Sequence, residues 1–160
     1  MGLTSKQIDQ NWKALIDHIK TTFPETYPDD RRERLLKMYH DLESRLMLAP
    51  ASGINYYHNC FPGGYVDHVL RVIDCAIKLY QLWGDSGAHV KDYTREELIF
   101  SAMHHDFGKV GDMENDYYIP NKSEWHRKNQ GKIYEHNPKL HFMTVSDRSL
   151  WLLNQFSIKM

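Results

Sequence analysis

Two short stretches carry most of the side chains able to do chemistry. Residues 100–112 read FSAMHHDFGKVGD, which sets His104, His105, Asp106 and Lys109 directly behind an apolar run. Upstream, residues 63–76 read GGYVDHVLRVIDCA, with His68 inside a helical pattern. Buried polar groups are costly unless they are paired or bound, so an apolar run ending in imidazole, carboxylate and ammonium calls for a partner. Imidazole nitrogens plus a carboxylate suit Mn, Fe, Co, Ni or Zn ions better than Mg alone, which prefers oxygen ligands. Such an ion lowers the pKa of a bound water and holds a phosphoryl oxygen, the equipment of phosphoester hydrolysis.

Helices must position these groups. Thr4 and Gln7 have capping-box spacing, and Ile8, Trp12, Leu15, Ile16 and Ile19 follow at a helical period up to Phe23 and Pro24. The spacing predicts a second helix over about 30–48 with Leu35, Tyr39, Leu42 and Leu46 inward, then a loop, APASGINYYHNCFPGG. In the third helix Val66, Val69, Leu70, Ile73, Ala76, Ile77 and Tyr80 form one stripe. Tyr65, His68, Val72, Cys75 and Leu79 form a second, fairly apolar face, which predicts that His68 points into the protein. A fourth helix starts at the Thr94–Glu97 capping box and runs to about His105, with Leu98, Ile99 and Ala102 inward. At about 100° per residue, this phase turns His105 and Asp106 to the core and His104 outward, so His104 should be dispensable. From Phe107 to Val145 the pattern is irregular: either a long loop, unusual and often functional, or short helices that the pattern does not mark. Ser146 reads as the N-cap of a last helix. Strand-like alternation is weak throughout, so the expected fold is all-α.

GGYVDHVLRVIDCA followed by HHDFGK resembles the HD-domain superfamily of metal-dependent phosphohydrolases. The likeness extends to the Gly-Gly entry, the acidic Asp67 before the histidine and the His-Asp-x-Gly-Lys run, and it covers about 50–109. It implies a compact helical bundle, one domain over 1–160, made of an N-terminal helical pair (1–48), a metal-motif core (50–112) and an irregular segment with the last helix (113–160). It implies His68, His105 and Asp106 as metal ligands around one or two ions, with Asp106 also in a catalytic role. Lys109 would be catalytic and contact the substrate phosphate. PASGINYYHNCFPGG further resembles the approach to the first ligand in HD proteins linked to exonucleases and relaxases, where a histidine pair precedes the Gly-Gly entry. Here Tyr57 and His58 stand in its place, which leaves His58 for substrate, for a second ion or for packing of its own loop. The family's late aspartate has one candidate, Asp147, though a carboxylate in a first helical turn is favoured by the helix dipole alone. The alternatives are His136, His141, water, a partner chain, or a helix beyond this sequence.

Ordinary readings stand beside these. His68 could be a buried histidine bonded to a carbonyl. His105 suits a helix C-terminus, but Asp106 does not. Lys109 could be solvated, and Asp67 could simply complement its helix dipole or orient a ligand. His18, His40 and His89 read as surface residues. Lys122, Arg127, Lys128, Lys132 and Lys139 form a solvated face or a phosphate-binding one, in which Arg127 and Lys128 are the substrate-binding candidates. Tyr117, Tyr118 and Trp125 either pack or stack on a base.

The 160 residues suffice for one core, and the net charge of -1 provides no global field for a nucleic-acid backbone. Two cysteines among ten histidines, neither in CxxC spacing, point to a reducing, cytoplasmic setting. The N-terminal stretch turns polar too early for a signal peptide, and no run reaches the roughly 20 apolar residues of a membrane helix. The expected partner is a small phosphorylated substrate, foremost a nucleotide, with no membrane. Single-stranded nucleic acid, a homo-oligomer and a degenerate, non-catalytic nucleotide-binding module stand as alternatives.

Overall fold

The computed structural model describes residues 2–88 and 92–159, so His89 lies outside the described residues. The chain is mostly helical: α1 (Ser5–Thr22), α2 (Arg31–Asp41), α3 (Glu43–Leu48), α4 (Gly64–Asp85), α5 (Arg95–His104), a 3₁₀ turn (Phe107–Val110), α6 (Glu124–Gln130) and α7 (Val145–Gln155). No described helix is long and apolar enough to cross a membrane. Cys60 and Cys75 are both free.

Both capping boxes form as their spacing predicts, Thr4 with Gln7 and Thr94 with Glu97. Each satisfies two backbone donors that a helix start leaves without partners. The predicted second helix is broken at Leu42 into α2 and α3, but Leu35, Tyr39, Leu42 and Leu46 all remain buried. The core gathers Trp12, Leu15 and Ile19 of α1 with these residues, Val66, Val69 and Ile73 of α4, and Ile99, Phe100 and Met103 of α5. α4 packs on α1, α3 and α5, and α7 packs on the 3₁₀ turn.

Three expectations need correction. First, the second face of α4 is buried only in its first turns: Cys75 and Leu79 are exposed, as are Leu82 and Trp83. Second, of the two readings of 107–145, a long loop or short helices the pattern does not mark, the structure shows the latter and adds strands that were not expected. The segment holds the 3₁₀ turn, α6 and an antiparallel hairpin of β1 (Tyr118–Pro120) and β2 (Tyr134–His136), with Tyr118 paired to His136 and Pro120 to Tyr134. Strands of three residues are too short to display an alternation in sequence. Third, the last helix is capped by Thr144, whose hydroxyl accepts from the Asp147 amide at 3.1 Å, rather than by Ser146.

The loop before α4 is bound to the hairpin. The Tyr134 amide donates to Gly53 O at 3.0 Å, the Asn55 amide donates to Gly131 O at 2.8 Å, and Ile54 bridges to Lys132. The segment thus lies along the free side of β2 as an irregular third strand, which satisfies edge groups otherwise open to pairing.

Candidate functional site

His68 stands near the start of α4, while His105 is the residue on which α5 ends and Asp106 begins the turn into the 3₁₀ segment. The packing of α4 on α5 brings the three together. His68 Nε2 lies 3.2 Å from His105 Nε2 and 3.5 Å from Asp106 Oδ2, and His105 Nε2 lies 3.4 Å from the same oxygen. Among the described residues this is the group of histidines, cysteines and carboxylates close enough to share an ion.

The donor set fits a divalent cation. Ligand atoms about 2.0–2.1 Å from one tetrahedral ion lie about 3.4 Å apart, which is the size of this triangle. The His105 ring is also turned correctly. Its Nδ1–H donates to Ala102 O at 2.8 Å, which leaves the Nε2 lone pair facing His68 and Asp106. The Asp106 carboxylate raises the His105 pKa, against the effect of burial and with help from the Ala102 carbonyl. Burial opposes ionisation of Asp106, yet the bonds from His105, His68 and Lys109 outweigh it and hold the carboxyl well below the usual carboxylate range.

Lys109 Nζ sits 2.7 Å from Asp106 Oδ2, so a fixed positive charge shares the ligand oxygen. The side chains of His68, Asp106 and Lys109 are 15–20% exposed, sheltered but reachable. His58 stacks beside His68 with ring centroids 4.5 Å apart. Burial, followed by the His68 and Lys109 charges, lowers its pKa. The His58 loop is held by Asn59, whose amide donates to Asp67 at 2.9 Å and to Gly64 O at 3.1 Å. Asp67 also accepts from Arg71 at 2.8 Å, so its carboxylate faces the loop rather than the ion site.

Two glycines allow close backbone approaches. A Cβ on Gly64 would stand 2.1 Å from Asn59 O, and one on Gly108 would stand 2.2 Å from Val145 O. The second contact seats the 3₁₀ turn on α7, where the Gly108 amide donates to Ser149 Oγ at 2.7 Å. Arg45 of α3 holds the following stretch. It donates to Val110 O, Asp112 O and Asn115 O at 2.7, 2.6 and 2.5 Å and reaches the Asp116 carboxylate at 2.8 Å. Nothing in the sequence marks Arg45 or Ser149 for these tasks.

The predicted phase of α5 was off by about one residue. Ile99 and Ala102 are buried as expected, but Leu98 is only half-buried, and Phe100, Met103 and His104 complete the inward face. His104 is therefore inside, 4% exposed, against the expectation that it points outward. Its Nδ1–H donates to Phe100 O at 2.7 Å, which leaves Nε2 to accept from the Tyr39 hydroxyl at 3.3 Å. Burial lowers its pKa to about 4. His105 and Asp106, predicted to face the core, instead face the cleft beside His68, because the helix ends at His104 and the chain turns.

The structure does not bring the remaining candidates to the triangle. Asp147 is exposed in the first turn of α7, where its carboxylate accepts from the Thr144 hydroxyl at 2.6 Å. Arg127 and Lys128 are exposed on α6, and Lys128 pairs with Glu124 at 2.6 Å. His136 stacks on Tyr117 and Tyr118, and the His141 carbonyl accepts from Arg148.

No protein-family model, curated protein or solved structure matches the chain.

Proposed function

We propose that this protein is a metal-dependent phosphohydrolase of the HD type, acting on a nucleotide or a related small phosphoester. The observation that carries the reading is the convergence of His68 Nε2, His105 Nε2 and Asp106 Oδ2 within 3.5 Å of one another, with Lys109 on the same carboxylate. Two imidazoles and a carboxylate make three protein ligands, the number that catalytic sites use when they keep a coordination position open. A divalent ion held there supplies Lewis acidity and a water acidic enough to ionise near neutral pH.

The chain's own residues account for the rest. His68, His105 and Asp106 hold the cation, and the Ala102 carbonyl keeps His105 in the tautomer that ligation needs. Lys109 lies beside the site, where its ammonium binds a non-bridging phosphoryl oxygen and stabilises the charge that builds there. The Gly108–Ser149 bond fixes the turn that carries it. His58, exposed beside His68 and with a depressed pKa, presents a neutral imidazole to the incoming phosphoester.

The test is metal analysis of the purified protein, followed by nucleotides, sugar phosphates and short single-stranded oligonucleotides with Mn, Co, Ni or Mg. The expected result is one or two divalent ions per chain and turnover of a small phosphoester that His68→Ala abolishes. Bound metal with no turnover across the panel would leave a binding module. Cleavage of oligonucleotides alone would make it a nuclease.

A further inference from the structure

Two neighbouring cavities share Tyr118 and Tyr134 in their walls, and one of them reaches Lys109. The inner one, about 160 Å³, also touches Lys109 and Tyr117. The outer one, about 460 Å³, opens between the loop before α4 and the hairpin and ends at Lys132 and His136. Its volume is that of a small-molecule site. The rings form one array: Tyr117 to Tyr118 is 4.9 Å between centroids, Tyr118 to His136 is 5.6 Å, and Tyr118 to Tyr134 is 6.5 Å. Burial, then the neighbouring Tyr117 and the Asp106 charge, push the Tyr118 hydroxyl up to about 12.

We propose that this tyrosine-walled groove seats the base of a nucleotide whose phosphate lies at Lys109. The inference rests on the phosphohydrolase reading and deepens it by requiring that the substrate carry a flat heteroaromatic group. A cation at the inner end gives the phosphate its place. Tyrosine faces offer stacking area to a base, and their edge hydroxyls stay neutral beside it. Stacking of this kind tolerates any base, because each has a π-face. Backbone bonds from the Tyr134 amide to Gly53 O and from the Asn55 amide to Gly131 O tie the loop to the hairpin, so the groove exists before ligand arrives. Affinity is then not spent on ordering its walls.

The experiment measures equilibrium binding of adenosine 5′-monophosphate, cytidine 5′-monophosphate and ribose 5-phosphate to the full chain with Mn²⁺. Both nucleotides are expected to bind at least tenfold more tightly than ribose 5-phosphate. Tyr118→Leu should remove that margin, Tyr118→Phe should keep it, and Tyr134→Leu should shrink it, while ribose 5-phosphate binds equally to all. Equal affinity of the wild type for the three ligands would overturn the proposal. So would a Tyr118→Leu protein that loses ribose 5-phosphate as strongly as the nucleotides. Should Tyr118→Leu not fold, the wild-type margin and Tyr134→Leu still decide. The two readings fail separately. Hydrolysis of base-free phosphoesters as efficiently as nucleotides removes the base seat and leaves the hydrolase, whereas a base-dependent margin without turnover does the reverse.

Discussion

Two adjacent histidines differ completely in role. His105 ends its helix with Nε2 free towards His68, while His104 is sealed between Phe100, Phe107 and Tyr39. His105→Ala and Asp106→Ala should each lower bound metal by at least tenfold, as expected when one of three ligands is lost; elemental analysis after dialysis reads this directly. Retention of full metal by either variant would contradict the proposed site. His104→Ala should keep its metal when folded but lose about 2–3 kcal/mol of stability in urea, because a buried ring is removed and the Tyr39 hydroxyl loses its acceptor. The residue types alone pointed to His68, His105 and Asp106 as candidate ligands, which the fold brings together. They could not disclose which histidine of a pair lies inside, since that depends on helix phase, and α5 offers only about ten residues over which to fix it.

At the scale of elements, the well-marked helices were legible because caps and stripes act locally. The Thr4 and Thr94 boxes and the Val66–Val69–Ile73 stripe needed no partner to be recognised. The hairpin was not legible, because its strands are short and its stability comes from a distant loop. The seat of Lys109 was equally hidden, because it joins residues far apart in sequence, Gly108 with Val145 and Ser149. Ser149→Ala leaves the buried Gly108 amide without its acceptor, a cost of about 1–3 kcal/mol. If Lys109 acts on the phosphate, the variant should also lower kcat with little change in metal affinity. Steady-state kinetics beside metal titration separates the two. A fall in metal affinity alone would mean that the turn positions Asp106 and not Lys109.

For the molecule as a whole, one way in which pH enters, besides the His105–Asp106 pair, is His104. Its folded pKa of about 4 lies below the ordinary 6.5, so the unfolded chain binds the extra proton between those values. Stability from this residue is fully present above about pH 6.5 and is lost as pH falls towards 4, on the order of 3 kcal/mol at about 1.4 kcal/mol per unit. Urea midpoints at pH 7 and pH 4.5 should show the loss, and His104→Phe, which cannot take a proton, should show less of it. Divalent metal should raise the thermal midpoint by mass action, about 2.7 kcal/mol at a hundredfold excess over Kd. Arg45 sets a limit of another kind. Val110, Asp112 and Asn115 accept from its guanidinium and Asp116 pairs with it, so one side chain does for this stretch what a ladder of amides does elsewhere. Together with the Asp112 carboxylate, which accepts from the Glu114 and Asn115 amides, this fork holds 110–116 closed. In Arg45→Lys, which retains the charge but not the fork, amide hydrogens between Gly111 and Tyr117 should exchange with deuterium far sooner than those of α1 or α4, a zipper released at one tooth while the bundle stays closed.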